Sequence, residues 1–238
     1  MLHWRAIGSI IDMSIVVRCL TKPSKSMELS DQNFSSIYEC EQVSSDNITQ
    51  STWNDLVRFV ELQTAKSPNH VALSNMANEA PAGLLHNIAS KARWTSDVGE
   101  IALLRANGQI IGISCVELSE LHCQLSVGGA RCWLDDQHRS KQLMSRYLLD
   151  ANLRWSQNRQ LSGMLLTFNH YNKWIYNGIN RAANGKAVGI GSVWSNWWDD
   201  CKPLPNPITV RYTKQWCVIK PLANHGLDNI IQEILNSQ

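Results

Sequence analysis

The residues best suited to chemistry are basic and polar side chains that stand where a strand is predicted to lead into a helix. In the stretch from Leu134 to Trp155, LDDQHRSKQLMSRYLLDANLRW, the start of an amphipathic pattern carries Arg139, Ser140 and Lys141. The free N–H groups and positive end of a helix bind phosphate groups, and Arg and Lys add charge-assisted hydrogen bonds. The stretch therefore indicates an anion site, although basic residues at a helix start are also typical of a solvated surface.

The apolar residues of this stretch recur every three or four positions, which is the period of an α-helix. They are Met144, Leu148, Ala151 and Trp155, with Leu143 and Tyr147 beside them. This stripe predicts that the helix packs against a core and that the stripe itself does not contact a cofactor.

The elements that must position this helix begin with a strand over 35–43, where SSIYECEQV alternates apolar and polar residues. Helices are predicted over 55–65 and 81–94. Residues 100–119 contain two β-rich runs around Asn107-Gly108, which is the strongest short signal for a β-hairpin. The sequence thus predicts a strand, two helices and an antiparallel hairpin before the site.

A strand over 122–136 is predicted to lead into the site, and Gly128-Gly129 within it is open to two interpretations. The pair indicates either a bulge or close backbone approach, or else a further tight turn. The pattern alone does not decide between them.

Beyond the helix the sequence predicts a strand over 162–169, a helix over 171–182, an irregular segment over 187–207 and a single strand over 209–221. An amphipathic helix over 226–238 closes the chain. A strand, helix and strand of this length form a right-handed parallel crossover. We therefore expect an α+β (mixed α/β) fold, whose sheet is antiparallel in its early strands and parallel at the crossover, flanked by helices.

Composition sets the domain organisation and excludes some classes of function. We expect an N-terminal extension and polar linker over 1–34, one domain over 35–221 and a C-terminal helix over 222–238. The net charge of +2 does not demand a nucleic-acid or membrane partner, and no run approaches the roughly 20 apolar residues of a membrane span. Seven cysteines without metal-ligand spacing indicate reduced thiols in a cytoplasmic protein and predict no metal site.

Two motifs resemble those of the GNAT superfamily of acyl-CoA-dependent N-acyltransferases. That family's phosphate-binding motif reads Arg/Gln-x-x-Gly-x-Gly/Ala; Arg139 matches its first position, whereas Gln142 and Met144 replace its glycines. The family's second motif, Asn-x-x-Ala-x-x-x-Tyr, is matched in spacing by NHYNKWIY, with Asn169 first and Tyr176 last, whereas Asn172 replaces its alanine. The two stretches are also similar to divergent GNAT-like proteins of bacteriophages.

The resemblance implies a GNAT-like central sheet and transfer of an acyl group from acetyl-CoA or another acyl-CoA to an amine, on either a small molecule or a macromolecule. A backbone N–H on the strand over 124–134 would steady the oxyanion, and Tyr176 would protonate the thiolate. A tyrosine facing the sheet is equally typical of a core, and Asn169 equally suits a helix cap. The cofactor-binding residues implied are Leu134, Arg139, Ser140, Lys141, Gln142, Leu143, Met144, Ser145 and Asn169.

The general base is not assigned by the motifs. Four carboxylates are near enough in the expected topology, although each also suits an exposed surface or a helix cap: Glu117, Glu120, Asp135 and Asp136.

Two other functions compete with acyl transfer. Trp194, Trp197 and Trp198, flanked by Arg181, Lys186 and Lys202, could stack on bases of a nucleic acid that the protein modifies, or pack as a lid on the sheet. Alternatively, the domain is non-catalytic and its C-terminal amphipathic helix docks on a partner, or that helix covers the domain's own sheet.

Overall fold

The computed structural model describes residues 37–66, 95–141, 143–168, 173–183, 196–198, 200–210, 213–222 and 226–237. Eight strands form one sheet in the order β1-β2-β3-β4-β5-β8-β6, and β7 pairs with β8 off this path. The strands are β1 (Tyr38–Val43), β2 (Gly99–Ala106), β3 (Gln109–Leu118), β4 (Leu125–Leu134), β5 (Gly163–Phe168), β6 (Lys202–Pro203), β7 (Ile208–Val210) and β8 (Thr213–Pro221). The predicted N-terminal extension and the predicted helix over 81–94 lie outside the described residues.

Four helices in the described part of the chain flank the sheet. The helix α1 (Gln50–Lys66) follows Thr49, whose hydroxyl accepts the Thr52 N–H at 3.1 Å as an N-cap does. The helix α2 consists of a π-helical turn, Met144–Leu149, that continues directly into the α-helix Asp150–Asn158. The remaining helices are α3 (Lys173–Ala183) and α4 (Leu227–Asn236).

The first four strands are antiparallel, as the hairpin signal predicted. Asn107 and Gly108 form the two-residue turn between β2 and β3, with positive φ angles of 50° and 78°. Two successive positive φ angles define a type I′ turn, for which Asn-Gly is the preferred pair. This part of the sequence prediction is confirmed.

Strands β4 and β5 are parallel and are joined through α2, which confirms the predicted crossover. Strand β8 then inserts antiparallel between β5 and the edge formed by β6 and β7. The prediction of one strand over 209–221 was wrong: Val210 pairs with Thr213, so the chain reverses there. No glycine, asparagine or proline marks this turn, so local sequence carries no signal for it.

The core lies on both faces of the sheet. On the first face, α1 packs over β2 and β3, and α4 packs over β4, β5 and β8. On the second face, α2 covers the early strands, and α3 covers β5 and β8. The helix that carries the predicted anion site is thus anchored on the sheet, since its Leu148 and Ala151 are fully buried.

Candidate functional site

The main feature of the sheet is a wedge between its two central parallel strands. Their pairing runs from Leu125 and Gly163 to Gly128 and Leu166, whereas β4 continues to Leu134 on its other side against β3. Beyond Gly128, the edge of β4 that faces β5 therefore carries backbone N–H and C=O groups outside this ladder. Such an edge can pair with an extended, amide-containing ligand.

A bulge in β4 produces the wedge. Glu117 of β3 pairs with Val127, but Cys115 pairs with Ala130, so β4 holds one extra residue between these pairs. Gly129 lies in this interval with a φ of +66°, a conformation that glycine adopts without strain. An extra residue bends the bulged strand and increases its twist, which carries β4 away from β5.

Gly128 is the last residue of β4 that pairs with β5, so it lies at the apex of the wedge. The side chain of Met164 on β5 approaches it closely. A Cβ atom at this position would lie only 2.1 Å from the Sδ atom of Met164 on β5. Of the two interpretations of Gly128-Gly129, the structure shows the bulge and not the tight turn.

The residues that lead into α2 lie beside the open end of the wedge. A 3-10 turn spans Asp136–Lys141, so the backbone of Arg139, Ser140 and Lys141 belongs to this turn. The sequence had predicted instead that these residues form the first turn of the helix. Asp135 fixes this turn: its Oδ1 accepts the Gln137 N–H at 3.1 Å, and its Oδ2 accepts Gln63 Nε2 at 3.1 Å.

The start of α2 is π-helical over Met144–Leu149 and follows closely on the 3-10 turn over Asp136–Lys141. Leu143 and Ser145 are buried there, whereas Met144 is 36% exposed. The side chain that replaces the family's second glycine is therefore not packed into the core.

The other predicted cofactor-binding residues differ in how they are placed. The Leu134 side chain is 3% exposed and packs in the core on the second face. A ligand could therefore contact this residue only through its backbone. Gln142 and Asn169 lie outside the described residues. The binding roles of the whole set remain predictions.

Tyr176 lies in the core between α3 and the sheet. Its side chain is 3% exposed, its ring centroid is 4.7 Å from that of Trp216, and its hydroxyl donates a hydrogen bond to the Leu204 carbonyl at 2.5 Å. Burial, followed by the neighbouring Cys217, raises the pKa of Tyr176. The phenol thus keeps its proton, and its role as a proton donor remains a prediction.

Burial separates the four carboxylates considered as bases. Glu120 and Asp136 are exposed, and both oxygens of Asp135 accept hydrogen bonds that fix the 3-10 turn. Glu117 is 3% exposed, so it is the buried member of the set.

The tryptophan segment packs against the sheet. Trp198 is 5% exposed and belongs to a cluster with Met164, and its ring lies 4.7 Å from that of Trp197. Lys220 donates hydrogen bonds to the Trp197 carbonyl and to Asp200. These contacts support the lid interpretation over base stacking; Trp194 and Lys186 lie outside the described residues. Sequence reasoning missed Lys220, whose side chain is only 8% exposed near the end of β8.

The C-terminal helix α4 covers the protein's own sheet. Two side-chain contacts link it to the rest of the protein: His122 Nε2 lies 3.1 Å from Glu233 Oε2, and an ion pair joins Lys202 Nζ to Asp228 Oδ1 at 2.7 Å. Its apolar residues are therefore not available to a partner while it stays docked.

Within the described ranges, no cluster of three or more His, Cys, Asp or Glu residues could hold a metal ion. None of the helices found in those ranges has the length and apolar character required to cross a membrane.

Comparison with known proteins finds a likeness of fold. No protein-family model matches the chain, and no curated protein is similar to it in sequence. A GNAT-family acetyltransferase from Staphylococcus aureus Mu50 is 14% identical with a TM-score of 0.49, and the match covers 78% of this chain and 100% of that one. The corresponding values for an acetyltransferase from Streptococcus agalactiae are 11%, 0.49, 78% and 98%.

A third solved structure, the PaiA N-acetyltransferase from Thermoplasma acidophilum in complex with coenzyme A, is 11% identical with a TM-score of 0.46, and the match covers 77% of this chain and 98% of that one. At such low sequence identity this likeness concerns the fold alone.

Proposed function

We propose that the chain is an N-acyltransferase that moves an acyl group from an acyl-CoA to an amine by direct attack. The observation that carries this proposal is the wedge between β4 and β5, which opens past Gly128 beside the N-terminus of α2. An acyl-CoA combines an extended amide-containing chain with a pyrophosphate, and these two features match the strand edge and the helix end.

The residues present fit this co-substrate in three respects. The β4 edge offers backbone groups to the pantetheine amides, and one N–H there would stabilise charge developing on the thioester oxygen. Arg139 and Lys141 would add charge to the pyrophosphate site, and Tyr176 would return a proton to the leaving thiolate.

Isothermal titration calorimetry with acetyl-CoA and with free CoA tests the proposal. The wild-type protein is compared with Arg139→Ala and with Arg58→Ala, a matched control because Arg58 is an exposed arginine of α1. We expect micromolar binding that Arg139→Ala weakens by about tenfold or more, since a charge-assisted hydrogen bond contributes about 1.5–3 kcal/mol, and that Arg58→Ala leaves unchanged.

The outcomes are distinct. If both variants weaken CoA binding equally, the loss of affinity comes from the change in net charge. That result would contradict a specific pyrophosphate site at Arg139. If the protein binds neither acetyl-CoA nor free CoA, an acyl-CoA-dependent reaction is excluded. Protein and nucleic-acid partners would then be tested.

A further inference from the structure

Glu117 is a buried carboxylate at a defined place in the sheet. It lies on β3 two residues after Cys115, so both side chains point to the first face, which α1 and α4 cover. Glu117 pairs with Gly99 of β2 on one side and with Val127 of β4 on the other. Gly99 has no side chain, so the space beside the carboxylate on that side is not filled by its cross-strand neighbour.

This place is next to the apex of the wedge. Val127 immediately precedes Gly128, where the pairing of β4 with β5 ends. Neighbouring strands are about 4.8 Å apart, so Glu117 lies about one strand spacing from the point where a thioester in the wedge would be attacked. An acceptor that approaches from the first face therefore meets Glu117.

Helix α4 limits what can approach from that face. Its Leu227, Ile230 and Ile234 belong to one core cluster with Leu125 and Leu165, on the two strands that border the wedge. The contact between His122 and Glu233 and the ion pair between Lys202 and Asp228 add to this packing. A polypeptide laid along β4 and β5 on this face would have to displace α4.

We propose that the acceptor is a short primary aliphatic amine whose ammonium group binds Glu117 on the first face, which α1 and α4 cover. The bound ammonium gives one proton to the Glu117 carboxylate, and the neutral amine then attacks the thioester carbon. The C–N bond forms, the C–S bond breaks, and the second proton lost by the nitrogen ends on the departing thiolate, so that an amide and a free thiol result. This proposal rests on the acyltransferase function proposed above. A carboxylate offers about four acceptor positions, so Glu117 can receive ammonium N–H groups in addition to its existing contacts. Its burial strengthens the attraction, because charges interact more strongly where water is excluded. The apolar side chain of Val127 suits the alkyl part of the amine.

The test measures acetyl transfer from acetyl-CoA to three short amines, n-butylamine, 1,4-diaminobutane and 2-phenylethylamine, and to a lysine-containing octapeptide. We expect the wild-type protein to acetylate at least one of the amines and not the peptide. Glu117→Gln should raise the KM for that amine by about tenfold or more while the Kd for acetyl-CoA stays unchanged. Glu39→Gln, at an exposed carboxylate of β1, is the matched control and should alter neither.

The failure of this inference can be distinguished from the failure of the proposed function. If calorimetry shows no acetyl-CoA binding, both fall. If acetyl-CoA binds but the peptide is acetylated as well as the amines, or none of the amines is acetylated, or Glu117→Gln leaves the amine KM unchanged, the inference alone is overturned. Should Glu117→Gln not fold, the wild-type comparison of amines with peptide still decides.

Discussion

Replacement of Gly128 by alanine tests the geometry of the wedge apex. The added Cβ would lie 2.1 Å from Sδ, 2.7 Å from Cγ and 3.0 Å from Cε of Met164, so that side chain must move. Met164 is fully buried, which leaves it little room. Overpacking of this kind costs about 1–3 kcal/mol, and the lower entropy of the unfolded alanine chain returns about 0.4–1 kcal/mol.

We therefore expect Gly128→Ala to lower the free energy of unfolding by about 1–2 kcal/mol. For a domain of this size that corresponds to a fall in Tm of about 2–8 °C. Urea unfolding followed by circular dichroism measures the change. Met164→Ala alone should cost about 2–5 kcal/mol because it deletes a buried side chain.

The decisive result is the double variant. In the Met164→Ala background the steric conflict is gone, and Gly128→Ala should be neutral or stabilising. Gly108→Ala is the control: no heavy atom lies within 4 Å of the position its Cβ would take, but its φ of +78° is unfavourable, so its cost should be the same in both backgrounds. An equal cost of Gly128→Ala in the two backgrounds would refute the close approach at the apex.

Three further predictions concern individual side chains. Tyr176→Phe should lower kcat by about 10²-fold without changing the Kd for acetyl-CoA; unchanged kcat with lower stability would assign the tyrosine to the core alone. Burial raises the pKa of the Cys217 thiol to about 12, so peptide mapping after brief alkylation at pH 8 should find exposed Cys123 modified and Cys217 intact; the reverse order would contradict its burial. Burial also raises the pKa of the Glu100 carboxyl, so the folded state binds the carboxyl proton more tightly than the unfolded state does. The contribution of Glu100 to the free energy of unfolding therefore falls as the pH rises from about 4.5. Glu100→Gln should thus be more stable than wild type at neutral pH, with the difference shrinking below that range; thermal unfolding across pH checks it, and a constant difference would contradict the shift.

The sequence was sufficient for the parts of the fold that local chemistry determines. Asn107-Gly108 predicted the hairpin because few other residues adopt two positive φ angles in succession. The apolar stripe predicted the buried side of α2 correctly at Leu148, Ala151 and Trp155, but it was wrong at its first member, because Met144 is 36% exposed. The spacing of strand, helix and strand predicted the parallel crossover.

The rest depended on long-range geometry. The wedge arises from the register of β3 against β4, and no property of Gly128-Gly129 alone separates a bulge from a turn. The burial of Glu117 follows from the docking of helices distant in sequence, so its carboxylate resembled the exposed ones near it. The π-helical turn at Met144 likewise has no recognised local signal.

Binding of acyl-CoA in the wedge is tested most directly by amide hydrogen exchange with and without CoA. We expect added protection over residues 129–134 of β4 and at the start of α2, with no change over residues 125–128, which already pair with β5. Protection elsewhere in the chain, with residues 129–134 unaffected by saturating CoA, would contradict binding in the wedge.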